Sequence, residues 1–93
     1  MSLSATAQLI IRNIMAAQGA LGLPNGEFDN MGSIPGGLWR VFAPTPNRPN
    51  MISVACSDLE ILREVREHMV RHGWPAQEGE MPRSILLTPQ VSG

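Results

Sequence analysis

Residues 57–75 constrain the fold of this chain more than any other segment, because they carry both the start and the stop signals of a helix. Ser57 is followed three residues later by Glu60, the spacing of a capping box that satisfies two backbone N–H groups at a helix start. Gly73 suits the left-handed conformation that ends many helices, and Pro75 prevents continuation. The sequence therefore predicts a helix that begins at Ser57 and stops at Gly73.

Helical spacing also sorts the side chains of this segment into two faces. The apolar face comprises Leu59, Ile61, Leu62, Val65, Met69 and Val70. The charged face comprises Glu60, Arg63, Glu64, Glu67 and Arg71. We expect the apolar face to be buried, with Trp74 packing back onto Met69.

A further helix is predicted for residues 4–18, with Gly19 as its stop signal. Its apolar side comprises Ala7, Ile10, Ile11, Ile14, Met15 and Ala17, and its polar side comprises Thr6, Gln8, Arg12 and Asn13. Leu9 is the exception, because helical spacing places it on the polar side.

Three short apolar runs, at residues 38–43, 51–56 and 84–88, predict strands. The first two flank residues 44–50, where three prolines exclude a helix and favour a stiff hairpin loop. Residues 19–37 contain six glycines and two prolines, so we predict a long and partly disordered loop there.

These elements predict a single domain over residues 1–93, in the order α-β-β-α-β, with residues 89–93 as a flexible tail. A strand, helix and strand in succession favour a crossover that leaves the last two strands parallel. The sequence thus predicts an α+β fold, a two-layer α/β sandwich with both helices on one face of a three-stranded mixed sheet. The other face and both edges of that sheet would then be left uncovered.

Charge and composition limit the classes of partner. Seven arginines, no lysine and eight acidic residues give a net charge of −1, whereas general nucleic-acid binding depends on neutralising phosphates. Arginine without lysine, with nine glycines and eight prolines, is typical of GC-rich coding sequence and suggests a bacterial or phage source. Cys56 is the only cysteine and no apolar run reaches membrane-spanning length, so we expect a cytoplasmic protein without membrane contact.

Cys56 is the strongest candidate for a catalytic residue, since it lies where a strand leads into a helix N-terminus. An anion cradle at this position would need glycines around the cysteine, but none is present. Asp58 would repel an anion, and Arg63 stands one position too far along the chain. We interpret Cys56 as a small buried residue, and predict no enzymatic activity and no cofactor.

Glu64, His68 and His72 recur at four-residue spacing and share one column of the predicted helix. Two imidazoles and a carboxylate are a possible metal-ligand set, but this column supplies only three ligands. The surrounding charges are typical of a solvated, ion-paired helix face. We therefore assign no metal.

The alternative function is a nucleic-acid-binding regulator that uses a group of arginines. The group comprises Arg48 on the proline-rich loop and Arg63, Arg66 and Arg71 on the helix. Interleaved glutamates would neutralise much of the helical charge. Trp39 and Phe42 point to opposite faces of their strand, so they cannot form a paired platform for bases. We rank this function second.

The leading hypothesis is a non-enzymatic protein-interaction or assembly module that docks through the free sheet face or an edge strand. The predicted strands carry apolar side chains on both faces, and methionines suit adaptable recognition surfaces. The expected partner-binding residues are Trp39, Val41, Arg48 and Met51. The partner would be another protein or a second copy of the chain, giving a homo-oligomer. Either an adaptor or a phage- or prophage-type structural component would fit, the latter by analogy in the order of its elements.

Overall fold

A five-stranded antiparallel sheet and two helices form the fold in a computed structural model that describes residues 3–20, 28–43 and 51–89. The elements are α1 (Ala5–Ala20), β1 (Phe28–Ile34), β2 (Gly37–Ala43), β3 (Ile52–Cys56), α2 (Leu59–Arg71), β4 (Ala76–Glu78) and β5 (Ser84–Leu87). The α+β class predicted from the sequence is confirmed. None of the helices in these ranges has the length and hydropathy needed to cross a bilayer.

The predicted three-stranded mixed sheet is wrong in its detail, because the strands lie in the order β1-β2-β3-β5-β4 and every neighbouring pair is antiparallel. The helix α2 leads into β4, a strand of three residues that the polar sequence does not signal. The chain then turns back, and β5 inserts between β3 and β4. Since β3 and β4 both pair with β5, they are parallel to each other but are not neighbours. The crossover therefore exists, but it leads to β4 and not to β5.

The predicted loop over residues 19–37 is wrong for Phe28–Ile34, which form the edge strand β1 and pair with β2 along its whole length. It is also wrong at its two ends, because α1 continues past the predicted stop at Gly19 to Ala20 and β2 begins at Gly37. Pro35 and Gly36 connect the two strands, and Gly36 has a φ of 83°, a conformation that glycine tolerates in a tight turn. Because only one of its edges is paired, β1 carries polar side chains that resemble a loop in sequence. Residues 21–27, the predicted loop 44–50 and residues 90–93 of the predicted tail lie outside the described part of the chain.

One face of the sheet packs against both helices, as predicted. The helices contribute Ala7, Ile10, Ile14, Ala17, Leu62, Val65 and Met69, and the strands contribute Trp39, Val41, Ala43, Ile52, Val54, Cys56, Ile85 and Leu87. Leu9 is exposed, which confirms its assignment to the polar side of α1. Three residues that were expected on the buried faces of the helices are exposed instead, namely Met15, Leu59 and Val70.

Asn13 was expected on the polar side of α1 but is buried against β1. Its amide group donates a hydrogen bond to the carbonyl oxygen of Leu9, and its side-chain oxygen accepts one from the amide of Asn30. These bonds satisfy the amide group of Asn13, so its burial leaves no unpaired donor or acceptor at these atoms. They also fix α1 over the edge strand.

The start of α2 differs from the predicted capping box. Asp58 is the N-cap, and its carboxylate accepts hydrogen bonds from the backbone N–H groups of Glu60 and Ile61. Ser57 instead accepts a hydrogen bond from the N–H of Leu38 at 3.1 Å and joins the start of β2 to the end of β3. The predicted start is therefore wrong by one residue.

The predicted end of α2 is confirmed. Gly73 has a φ of 90°, and its N–H donates to the carbonyl oxygen of Val70 at 3.0 Å. The N–H of Trp74 donates to the carbonyl oxygen of Met69 at 2.9 Å. This pair of bonds is a Schellman motif, and it places the buried Trp74 ring in the same core as Met69.

Candidate protein-docking surface

Side chains alternate between the two faces of each strand, so every second residue points away from the helices. We call the face that these residues form the outer face. It comprises Asp29, Met31, Ser33, Leu38, Arg40, Phe42, Ser53, Ala55, Ser84, Leu86 and Gln77. Met31 and Leu38 are exposed by 56% and 44%, so apolar area lies open on this face among the described residues.

A shallow depression of about 250 Å³ lies in the outer face. Its floor contains the small side chains of Ser53, Ala55 and Ser84, and Phe42 and Met81 stand beside them. Small-molecule sites usually measure ~300–1,000 Å³, so this depression suits the side chain of a partner better than a cofactor. Met81 itself is 65% exposed.

An ion pair neutralises the charge on this face. Arg40 donates two hydrogen bonds to the Asp29 carboxylate, at 2.8 and 2.6 Å, and its guanidinium lies 5.0 Å from the centre of the Phe42 ring. The hydrogen bonds from Arg40 hold the pKa of Asp29 below its usual value. The two charges therefore cancel within one copy of the chain, and the rest of the outer face is uncharged in β1, β2 and β3.

The backbone of β1 is open at one edge. Leu38 forms hydrogen bonds to Ser57 through both its N–H and its carbonyl group, so its polar backbone groups point toward β3. Strand alternation directs those of the next residue, Trp39, toward β1, where its partner is Gly32. The residues on either side of Gly32 therefore present their N–H and carbonyl groups at the free edge. A Cβ at Gly32 would collide with the Trp39 indole, so only glycine fits there.

Two of the four predicted partner-binding residues lie on the helix-facing side of the sheet. Trp39 and Val41 are 4% and 0% exposed and face the helices, so they cannot contact a partner. Met51 is half-buried beside β3, and Arg48 lies outside the described residues. The sequence placed apolar residues on both faces of β2 and did not show which face the helices cover. The residues that were missed, Leu38 and Phe42, occupy the alternate positions.

Cys56 is 2% exposed and packs in the core. Burial raises the pKa of its thiol, although a hydrogen bond from the backbone of Asp58 acts in the opposite direction. The thiol is therefore neither accessible nor activated, as expected for a packing residue.

The three residues of the candidate metal column, Glu64, His68 and His72, form two separate sets of contacts. The Glu64 carboxylate accepts hydrogen bonds from the backbone N–H and the hydroxyl of Ser4, both at 3.0 Å, and so ties α2 to the start of α1. The rings of His68 and His72 lie 4.3 Å apart between centroids. Burial lowers the pKa of His68, and the neighbouring His72 and Arg71 lower it further. Within the described ranges, no three potential ligands converge on a metal position.

The arginines of α2 do share one surface. Arg63, Arg66 and Arg71 line a common depression, and none of them forms an ion pair with another described residue. Arg63 and Arg66 also line a cavity of about 560 Å³ between α2 and the connection from β4 to β5. Arg48, the fourth arginine of the predicted group, is outside the described residues. Glutamates contribute to both surfaces, so charges of opposite sign meet there.

Comparison with known proteins adds no family to this description, because no protein-family model, curated protein or solved structure matches the chain. The site is therefore assigned from its geometry alone.

Proposed function

We propose that this protein is a non-enzymatic interaction or assembly module that binds another protein through the outer face and the free edge of β1. The observations that support this most are the exposed apolar side chains of Met31 and Leu38 on the outer face and of Met81 beside the depression. Both helices lie on the opposite face. Contiguous exposed apolar area next to an open strand edge is typical of protein-docking sites.

The strand lengths set the size of the outer face. Strands of 7, 7, 5, 3 and 4 residues give a projected area of roughly 400 Å² at a spacing of ~4.8 Å and a rise of ~3.3 Å per residue. A stable interface needs about 800 Å² per partner, so side-chain relief and the β1 edge would supply the remainder. An adaptor or a structural component of phage type would use such a surface in the same way.

Site-specific photo-cross-linking in cells tests this proposal. A photoreactive phenylalanine analogue replaces Leu38 or Ser33 on the docking surface, and replaces Arg12 on the exposed side of α1 as a matched control. We expect protein adducts from the first two positions and few or none from the third. A folded chain that gives no protein adduct at Leu38 or Ser33, or equal adducts at Arg12, would contradict the proposed function.

Nucleic-acid binding remains the second candidate, supported by the shared surface of Arg63, Arg66 and Arg71. Phosphate contacts make such binding steeply dependent on salt. Titration of labelled DNA and RNA in low salt therefore separates the candidates. Retardation that the triple Arg63→Gln, Arg66→Gln, Arg71→Gln variant abolishes would favour this function, and no retardation would exclude it.

A further inference from the structure

We propose that β1 pairs with β1 of a second copy of the chain, in an antiparallel register with its two-fold axis at Met31. The result would be one continuous ten-stranded sheet. This inference rests on the proposed function, and it identifies the partner at the free edge as a second copy of the chain.

The register follows from the backbone of β1. Asp29, Met31 and Ser33 present their N–H and carbonyl groups at the free edge, and the side chain of Asn30 already binds the N–H of Met31 at 3.1 Å. Antiparallel strands form hydrogen bonds only between residues that both point into the shared edge. With Met31 opposite its own counterpart, Asp29 faces Ser33 of the second copy. The N–H of Met31 would exchange its bond to the Asn30 side chain for one to the second copy, and all three outward residues of each copy would then be paired.

The nearest alternative registers pair β1 less completely. A shift in one direction brings Asp29 opposite Pro35 of the second copy, which has no N–H to donate. A shift in the other direction takes the pairing beyond Phe28, the first residue of β1. The register at Met31 is therefore the one that pairs the full length of the strand with itself.

The side chains of β1 are self-complementary in this register. Phe28 lies opposite Ile34 of the second copy on the helix-facing side, and both are half-buried residues packed against the core. Met31 meets its own counterpart on the outer face. Asp29 brings no repulsion, because Arg40 of the same copy neutralises it.

Edge strands usually carry lysine, proline or a bulge that blocks such pairing. The seven residues of β1 include no lysine, proline or bulge, and its one charged residue, Asp29, is paired with Arg40. The other edge strand, β4, has only three residues and offers a much shorter template.

Sedimentation equilibrium tests the proposal with two lysine variants. Met31→Lys sets two like charges opposite each other at the two-fold axis, whereas Val70→Lys changes an equally exposed apolar residue on α2. We expect the wild type and Val70→Lys to reach twice the chain mass of 10.1 kDa at high concentration. Met31→Lys, with unchanged circular dichroism, should remain monomeric. Equal masses for the two variants would overturn the proposal.

Disulfide trapping tests the register independently. Cα atoms of a hydrogen-bonded antiparallel pair lie about 5.5 Å apart, within the range that a disulfide spans. Met31→Cys should therefore form a covalent dimer in oxidised glutathione, whereas Ser33→Cys and the wild type, whose Cys56 is buried, should not. Equal trapping at residue 33 would overturn the register. A monomeric wild type whose residue 38 still cross-links a different protein would overturn self-pairing and leave the proposed function standing.

Discussion

At the scale of single residues, two adjacent polar side chains at the junction between β3 and α2 have different structural roles. Asp58 caps the helix, while Ser57 binds the backbone of Leu38 across the sheet. Both residue types are good N-caps, and the three-residue spacing to Glu60 favoured Ser57, although Asp58 is the cap. The choice depends on Leu38, a residue nineteen positions away that local sequence patterns cannot include.

The assignment of Asp58 as the N-cap predicts how two substitutions at this residue affect the stability of the protein. Asp58→Ala should lower the free energy of unfolding by about 1 kcal/mol, because two N–H groups of α2 lose their acceptor. Asp58→Asn should stay close to the wild type, since its side-chain oxygen can still accept these bonds. Urea denaturation measures both. An Asp58→Ala protein as stable as Asp58→Asn would show that the carboxylate does not cap the helix.

At the scale of elements, the predictable parts of the fold were those whose signals are local. Stop signals predicted the end of α2 at Arg71. Periodicity and apolar runs predicted the apolar side of α1 and the buried strands β3 and β5. The strands β1 and β4 were missed, because they lie at the two edges of the sheet and are mostly polar. An edge strand is defined by its pairing with a neighbour, which alternation in one sequence does not show.

The buried face of α2 predicts opposite results for aspartate at two valines. Val65 is fully buried and Val70 is 51% exposed. Val65→Asp would bury an unpaired charge in the core and should prevent folding, whereas Val70→Asp leaves the charge in water.

Circular dichroism and the elution volume of both variants provide the measurement. We expect the Val70→Asp protein to be folded and the Val65→Asp protein to be unfolded or aggregated. A folded Val65→Asp protein would show that a different face of α2 packs on the sheet.

At the scale of the whole molecule, the helices shield one face of the sheet. Among the described residues the outer face is open at Met31 and Leu38, near the β1 edge, whereas Ser84 and Leu86 of β5 are buried on it. The sequence predicted this asymmetry, but it did not show that Trp39 and Val41 belong to the row of β2 that the helices bury. The position of Leu38 and Phe42 on the outer face depends on which side of the sheet the helices cover, and the alternation within β2 does not show this.

Amide hydrogen exchange resolved by residue tests most directly whether this open edge is completed by a second copy. The N–H groups of Asn30 and Gly32 point toward β2 and should be protected at every protein concentration. Those of Asp29 and Ser33 point outward and should exchange fast in dilute solution and slowly in concentrated solution. If Asp29 and Ser33 exchange fast at every concentration while Asn30 and Gly32 remain protected, β1 does not pair with another copy.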